Sequence, residues 1–201
     1  LSGFKRMMVM LKAERVKVPF IHCAASAAAL LYKDTHFNMV RIGIGLYGLW
    51  PSRETRIALS LKKISDRIVL NPVLSWKSVV AQIKTVRAGE SVGYGRTWFA
   101  SRKSKIVVIP TGYFDGYDRG LSNNSRVLIR GRSAPLVGRV AMNMIMADVT
   151  NIKGIELDDE VVLIGKSKKE AITVEESADA IGTISYEIVS RINPILPRID
   201  I

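Results

Sequence analysis

Near the start of this 201-residue chain, two apolar segments flank a helix former, and together they cannot complete a sheet. "VKVPFIHCA" (16–24) reads as a strand bounded by Pro19. "ASAAALLYK" (25–33) is Ala-rich and favours a helix, and "NMVRIGIGLYG" (38–48) is a β-branched run punctuated by glycines. Strand, helix and strand with short links form the βαβ unit of a parallel sheet or barrel. Two strands cannot close a barrel, and a parallel sheet is normally covered on both faces. The strands that complete it are therefore expected from elsewhere. A further helix is expected before this unit, where Phe4, Met7, Met8 and Leu11 fall at helical spacing among basic residues. That pattern differs from a secretory leader, and the Leu at position 1 suggests a piece of a longer chain.

The texture changes near residues 64 to 72. Beyond that point short β-rich runs alternate with turns: "VLSWKSVVAQIKTV", "SKIVVIPTGY", "RVLIRGRSAPLVG", "MIMADVT" and "DEVVLIG", with "AGE", "SNNS" and "IKG" between them. An antiparallel β domain is expected. Thr173 and Glu176 have capping-box spacing at the head of "TVEESADAIG", Gly182 marks that helix's end, and "TISYEIVSRI" reads as a second short helix. No internal repeat or low-complexity tract is visible.

Composition narrows the function classes. No apolar run approaches the roughly 18 residues of a membrane span, so no membrane partner is expected. The single cysteine, Cys23, allows no internal disulfide and fits a reducing compartment, hence a cytoplasmic expectation. Its small apolar flanks suggest a buried, inert thiol. With only two histidines, His22 and His36, no metal centre is expected. Thirty Lys and Arg against 18 Asp and Glu give a net charge of +12. Such an excess suits nucleic acid or a small anionic ligand. The basic residues are scattered in short clusters without interleaved aromatics, so a solvated surface is expected and nucleic acid is not.

In order, the chain carries "HCAASAAAL", "RIGIGLYG", "VGYGRT", "PTGYFDGYDRG", "VGRVAMN", "TISYE" and "LPR". Seven motifs in register resemble the carboxy-terminal part of the alanine racemase family, whose members belong to fold type III and use pyridoxal 5'-phosphate (PLP). The resemblance covers essentially all of the chain. It implies an α/β plus all-β fold: residues 1–65 as the C-terminal end of a TIM-type (β/α)8 barrel and residues 66–201 as the family's antiparallel β domain. It implies an isomerase that interconverts L-alanine and D-alanine, supplying D-alanine for peptidoglycan of the cell wall, in a cytoplasmic homodimer.

The same resemblance distributes roles over residues. Ser26, Gly43 and Ile44 match donors to the cofactor phosphate, with the hydroxyl of Tyr186 as another. A phosphate asks for N–H groups, hydroxyls and close approach, which bare backbone at a barrel strand's end can offer. Arg41 matches the arginine that faces the pyridine nitrogen where many PLP enzymes set an acid. Two cations will not share one hydrogen bond, so that nitrogen stays unprotonated and side reactions such as transamination are limited. His22 matches the histidine that hydrogen-bonds this arginine, and His36 is expected at the surface. Tyr94, between Gly93 and Gly95, matches the tyrosine that exchanges the α-proton on one face of the substrate, a cofactor-bound lysine serving the other. Tyr113 matches a tyrosine at the site entrance and Met142 a backbone donor to the substrate carboxylate. Residues matching Tyr94, Tyr113 and Met142 reach the opposite subunit's cofactor, so each active site is composite, and bare backbone beside Tyr94 fits close approach to another surface.

The chain also departs from the pattern. The family's Asp-Gln after the methionine is Asn143-Met144 here, and the aromatic after the last Pro-Arg is Ile199. No lysine lies in the context of the family's cofactor lysine, and the barrel arginine that contacts the substrate carboxylate has no match. A fragment inactive by itself is therefore expected. The alternatives are a related serine or broad-specificity racemase, or a noncatalytic basic β module that binds nucleic acid.

Overall fold

The structure, a computed structural model, describes residues 1–62 and 68–200. It divides into two units, Leu1–Asn71 and Pro72–Ile201. The division expected at 65/66 lies outside the described residues.

In the first unit the amino-terminal helix forms as its spacing predicts, as α1 (Ser2–Ala13), with none of its residues buried. Phe4 anchors it by a tilted ring contact with Phe37, centroids 5.1 Å apart. The Ala-rich run forms α2 (Ser26–Leu31), and α3 (Arg53–Leu61) opens on Ser52, whose hydroxyl accepts from Thr55 N–H at 3.2 Å. That third helix is not anticipated by apolar periodicity, although the Ser52 cap is a usable start signal.

The two expected parallel strands differ in the structure. Only one parallel bridge, Ala25 to Arg41, joins the segments, with Arg41 N–H donating to Ala24 C=O at 2.9 Å. The glycine-rich run then leaves extended geometry and winds into a 3-10 turn at Ile44–Tyr47. The physical reason is neighbourhood. Parallel pairing is less stable per residue and depends on strands and layers around it. Each segment has just one such neighbour among the described residues.

The second unit is an antiparallel β domain with two sheets. One has the order β1 (Trp76–Val79), β7 (Glu160–Ser167), β4 (Arg126–Ile129) and β5 (Arg132–Pro135), with β8 (Glu170–Ile172) also pairing β7. The other has the order β2 (Gln82–Val86), β3 (Ser104–Ile109) and β6 (Ile145–Asp148). The run 73–86, read as one strand, is two: it breaks at Val80, which is fully buried, and passes from one sheet to the other. The central β7 has four consecutive buried residues, Val161–Ile164, as a strand covered on both faces should. Between β4 and β5 the tip residues Arg130 and Gly131 both have positive φ, 53° and 76°, the two-residue turn whose twist matches an antiparallel pair.

Two helices follow, α4 (Val174–Ile181) and α5 (Ser185–Arg191). Thr173 caps α4 by accepting from Glu176 N–H at 3.0 Å. The reciprocal half of the expected capping box is not made. The Glu176 carboxylate instead takes Arg126 in a fork, Nε at 2.6 Å and Nη2 at 3.0 Å, because a charged bidentate pair outweighs a backbone cap.

Tyr117 lies in this domain's interior, edge-on to Trp76 and within 3.2 Å of Ser125 Oγ. Burial pushes its phenol up to about 12; Ser125 pulls the other way and Glu176 adds slightly to the rise. The folded state therefore favours the neutral phenol. Its contribution to stability is complete below the unfolded value near 10 and is lost as pH rises through about 12. That rise corresponds to roughly 3 kcal/mol. In denaturant titrations at stepped pH, the wild type should lose that much more stability over this window than Tyr117→Phe. Equal losses would show that Tyr117 is not the group responsible.

Candidate functional site

In the first unit the bridge between Ala25 and Arg41 sets Ser26 beside Gly43. Ser26 is 4% exposed, and its hydroxyl accepts from Gly43 N–H at 3.0 Å. The Gly43 amide is thereby engaged within the chain, while the Ser26 proton is left to donate. The N–H groups of Ile44 and Gly45 open the 3-10 turn and have no acceptor within it. A Cβ built on Gly43 would meet nothing within 4 Å, so space beside these donors is open.

Arg41 has an exposed side chain with no acidic partner and no side-chain hydrogen bond among the described residues. The hydrogen bond expected from His22 to Arg41 is not formed. Instead, Nδ1 of His22 is buried with no partner. A buried nitrogen without a partner costs free energy, and it is the donor or acceptor that a bound group or a repositioned Arg41 would satisfy. Buried hydroxyl, N–H groups and a cation without partners among the described residues, and open space beside them, together suit an anionic, phosphate-bearing group. Cys23, expected buried, is half-buried with Sγ 3.5 Å from Thr35 C=O. His36, expected at the surface, is half-buried and bonds Ala29 C=O through Nε2 at 2.7 Å.

In the second unit one stretch, residues 138–142, carries two tyrosine turns. At its start it supports Tyr94. Tyr94 is 74% exposed and heads a 3-10 turn between Gly93 and Gly95, whose φ values are 80° and 70°. These glycines serve this chain's own packing. A Cβ on Gly93 would stand 3.2 Å from Arg139 N, one on Gly95 3.2 Å from Arg139 Nε, and one on Gly138 2.5 Å from Val92 C=O. Within this chain the surface on which the Tyr94 turn rests is Gly138–Arg139.

At its far end the same stretch meets the Tyr113 turn. Tyr113 N–H donates to Ala141 C=O at 3.0 Å and Phe114 N–H to Met142 C=O at 2.9 Å. Asp115 closes the turn by accepting from Gly112 N–H at 2.8 Å. Met142 is exposed, and its own N–H makes no hydrogen bond among the described residues. Tyr113 lines a cavity of about 430 Å³ with Gly116, Asp118, Arg119 and Arg191. Arg191 pairs with Asp118 at 2.6 Å, and Asn193 Nδ2 donates to Phe114 C=O at 2.9 Å, which ties the end of α5 to this turn. Tyr186 lies at the start of α5, 40% exposed, with its hydroxyl unbonded among the described residues. Structure therefore joins Ser26 with Gly43, and Tyr94, Tyr113 and Met142 through one stretch. Sequence reasoning missed Asn193 and Gly138. Gly138 lay inside a quoted motif, and Asn193 carried no local signal.

No helix among the described residues is long and apolar enough to cross a membrane. Residues 73–200 match the family model "Alanine racemase, C-terminal domain" and residues 1–51 match "Alanine racemase, N-terminal domain". Curated alanine racemases from Leptospira interrogans and Syntrophobacter fumaroxidans are 46% identical over 178 residues and 48% identical over 188. These alignments cover 89% and 94% of this chain but only 46% and 48% of those proteins. Among solved structures, an alanine racemase from Bacillus anthracis with bound L-Ala-P superposes with a TM-score of 0.85 at 37% identity, over 96% of this chain and 47% of that one. One from Streptomyces coelicolor gives 0.87 at 32% identity, over 98% and 50%. The chain spans about half the length of the relatives it matches.

Proposed function

This chain belongs to the alanine racemase family, and from that premise we propose that it contributes to a PLP-dependent isomerase interconverting L-alanine and D-alanine. The observation that carries the reading is the stretch 138–142, which fixes Tyr94 and Tyr113 and leaves the Met142 N–H without a partner among the described residues.

When bound, PLP supplies the electron sink that makes an α-proton removable. Everything else falls to the chain's residues. In the first unit Ser26 Oγ and the N–H groups of Ile44 and Gly45 would hold the phosphate, with Gly43 keeping the approach open. Arg41 would donate to the pyridine nitrogen without giving it a proton, which would restrain transamination. His22 orients Arg41 once its Nδ1 is satisfied. In the second unit Tyr186 matches, by the family resemblance, a residue whose hydroxyl would donate to the cofactor phosphate. The Tyr94 oxygen takes and returns the α-proton on one face of the substrate, Met142 N–H holds the carboxylate, and Tyr113 narrows the entrance. Tyr94, Tyr113 and Met142 would serve the partner's cofactor in a homodimer, and their exposure here supports that reading. The setting is the cytoplasm, and the product serves peptidoglycan synthesis.

The test uses the complete racemase, meaning these residues with the remainder that relatives of twice this length carry. With PLP it should form D-alanine from L-alanine, read by a D-amino-acid oxidase assay. The 201 residues expressed alone should give no turnover and no borohydride-trapped PLP adduct at a specific lysine. A complete protein that binds PLP without racemising alanine would overturn the reading, whereas turnover by the 201 residues alone would overturn only the expectation that they are inactive by themselves.

A further inference from the structure

The turn "SNNS" between the Tyr113 region and β4 does more than reverse the chain. Asn123 sits there with φ at 56°, a left-handed geometry that Asn tolerates better than most residues. Its side chain faces two separate segments. Oδ1 accepts from Gly138 N–H at 2.6 Å, and Nδ2 donates to Thr97 Oγ1 at 3.2 Å. Thr97 immediately follows the turn that Tyr94 heads. Gly138 is the residue on which that turn's near end rests, since a Cβ there would stand 2.5 Å from Val92 C=O and 3.4 Å from Gly93 Cα. One amide thus grips both ends of the Tyr94 turn. The neighbouring Ser122 strengthens the grip, its Oγ accepting from Val140 N–H at 3.0 Å.

The Tyr94 ring has no hydrogen bond of its own among the described residues, and its turn carries three residues of positive φ, Gly93, Gly95 and Arg96. Backbone of that kind persists only where its surroundings hold it. We propose that Asn123 is a positioning residue for Tyr94: by clamping Thr97 and Gly138 it fixes where the phenol oxygen stands relative to the substrate's α-carbon. The inference rests on the reading of Tyr94 as the acid–base group for one face.

Asn123→Gly is the informative variant, because it removes both side-chain bonds while leaving the left-handed backbone unstrained. Thr97→Val removes one bond at nearly constant volume. In the complete racemase, solvent-deuterium wash-in from L-alanine and from D-alanine is measured for both, beside Tyr94→Phe. A misplacement near 1 Å can cost on the order of 100-fold. Asn123→Gly should therefore slow wash-in from L-alanine about tenfold or more beyond its effect on D-alanine, lowering kcat with little change in KM. Thr97→Val should show the same asymmetry at smaller size. Amide exchange at Gly138 should accelerate about fivefold in Asn123→Gly, the worth of one hydrogen bond.

Equal slowing from both enantiomers, with Tyr94→Phe still asymmetric, would reduce Asn123 to a structural residue and overturn the proposal alone. Equal slowing in Tyr94→Phe itself would overturn the reading of Tyr94, and the proposal with it. If Asn123→Gly does not fold, Thr97→Val decides: an effect absent or equal in both directions overturns the clamp.

Discussion

Replacing Tyr94 with Phe in the complete racemase should slow deuterium wash-in from L-alanine by roughly 10²- to 10⁴-fold, the range a positioned general acid–base supplies. Wash-in from D-alanine should fall far less. Racemisation needs a proton removed on one face and returned on the other, and a single group can only regenerate the enantiomer it started from. Deleting one hydroxyl therefore disables one face. The change should leave the fold intact, because the ring is 74% exposed and the turn is held by Gly138, Arg139 and Asn123 rather than by the phenol. Thermal unfolding of the variant should match the wild type within about 0.5 kcal/mol, as for an exposed substitution that touches no special feature. Equal losses from both enantiomers would show that Tyr94 is not a face-specific base.

Gly112→Ala should cost the β domain at least about 3 kcal/mol, at the upper end for overpacking, because the obstruction is backbone. A Cβ there would lie 2.3 Å from Ala141 C=O and 2.4 Å from the Met142 oxygen. Those two oxygens accept the Tyr113 and Phe114 N–H groups, so relieving the clash breaks both bonds and separates Tyr113 from Met142. The glycine is needed for space and not for backbone freedom, since its φ of −149° is open to any residue. Gly182→Ala makes the opposite comparison. Its φ of 70° is left-handed but nothing lies within 4 Å of the new Cβ, so about 1 to 2 kcal/mol is expected. Chemical denaturation of both variants checks the pair. A Gly112 variant no less stable than the Gly182 variant would remove the steric account.

Much of this protein was legible from local signals. The Thr173 cap and Gly182 stop of α4, the β-rich runs and the spacing of α1 follow from neighbours in the chain, where propensity and periodicity act. The order of the motifs was enough to indicate the family. The expected roles of Ser26, Gly43 and Tyr94 came from that resemblance, since a serine before a helix or a tyrosine among glycines has many uses.

Tertiary structure decided the partners, because charge and shape select among groups far apart in sequence. Glu176 satisfies its capping spacing, yet Arg126, 50 residues away, takes its carboxylate. The run 73–86 is a continuous β signal, but two sheets compete for it and it crosses between them at buried Val80. The segments around Ala25 and Arg41 have strand composition and gain one bridge, since a parallel ladder is stabilised by neighbours that propensity does not encode. The glycines flanking Tyr94 announced a close approach by their composition. Which surface is approached, Gly138 and Arg139 of this same chain, depended on steric fit between segments some 45 residues apart.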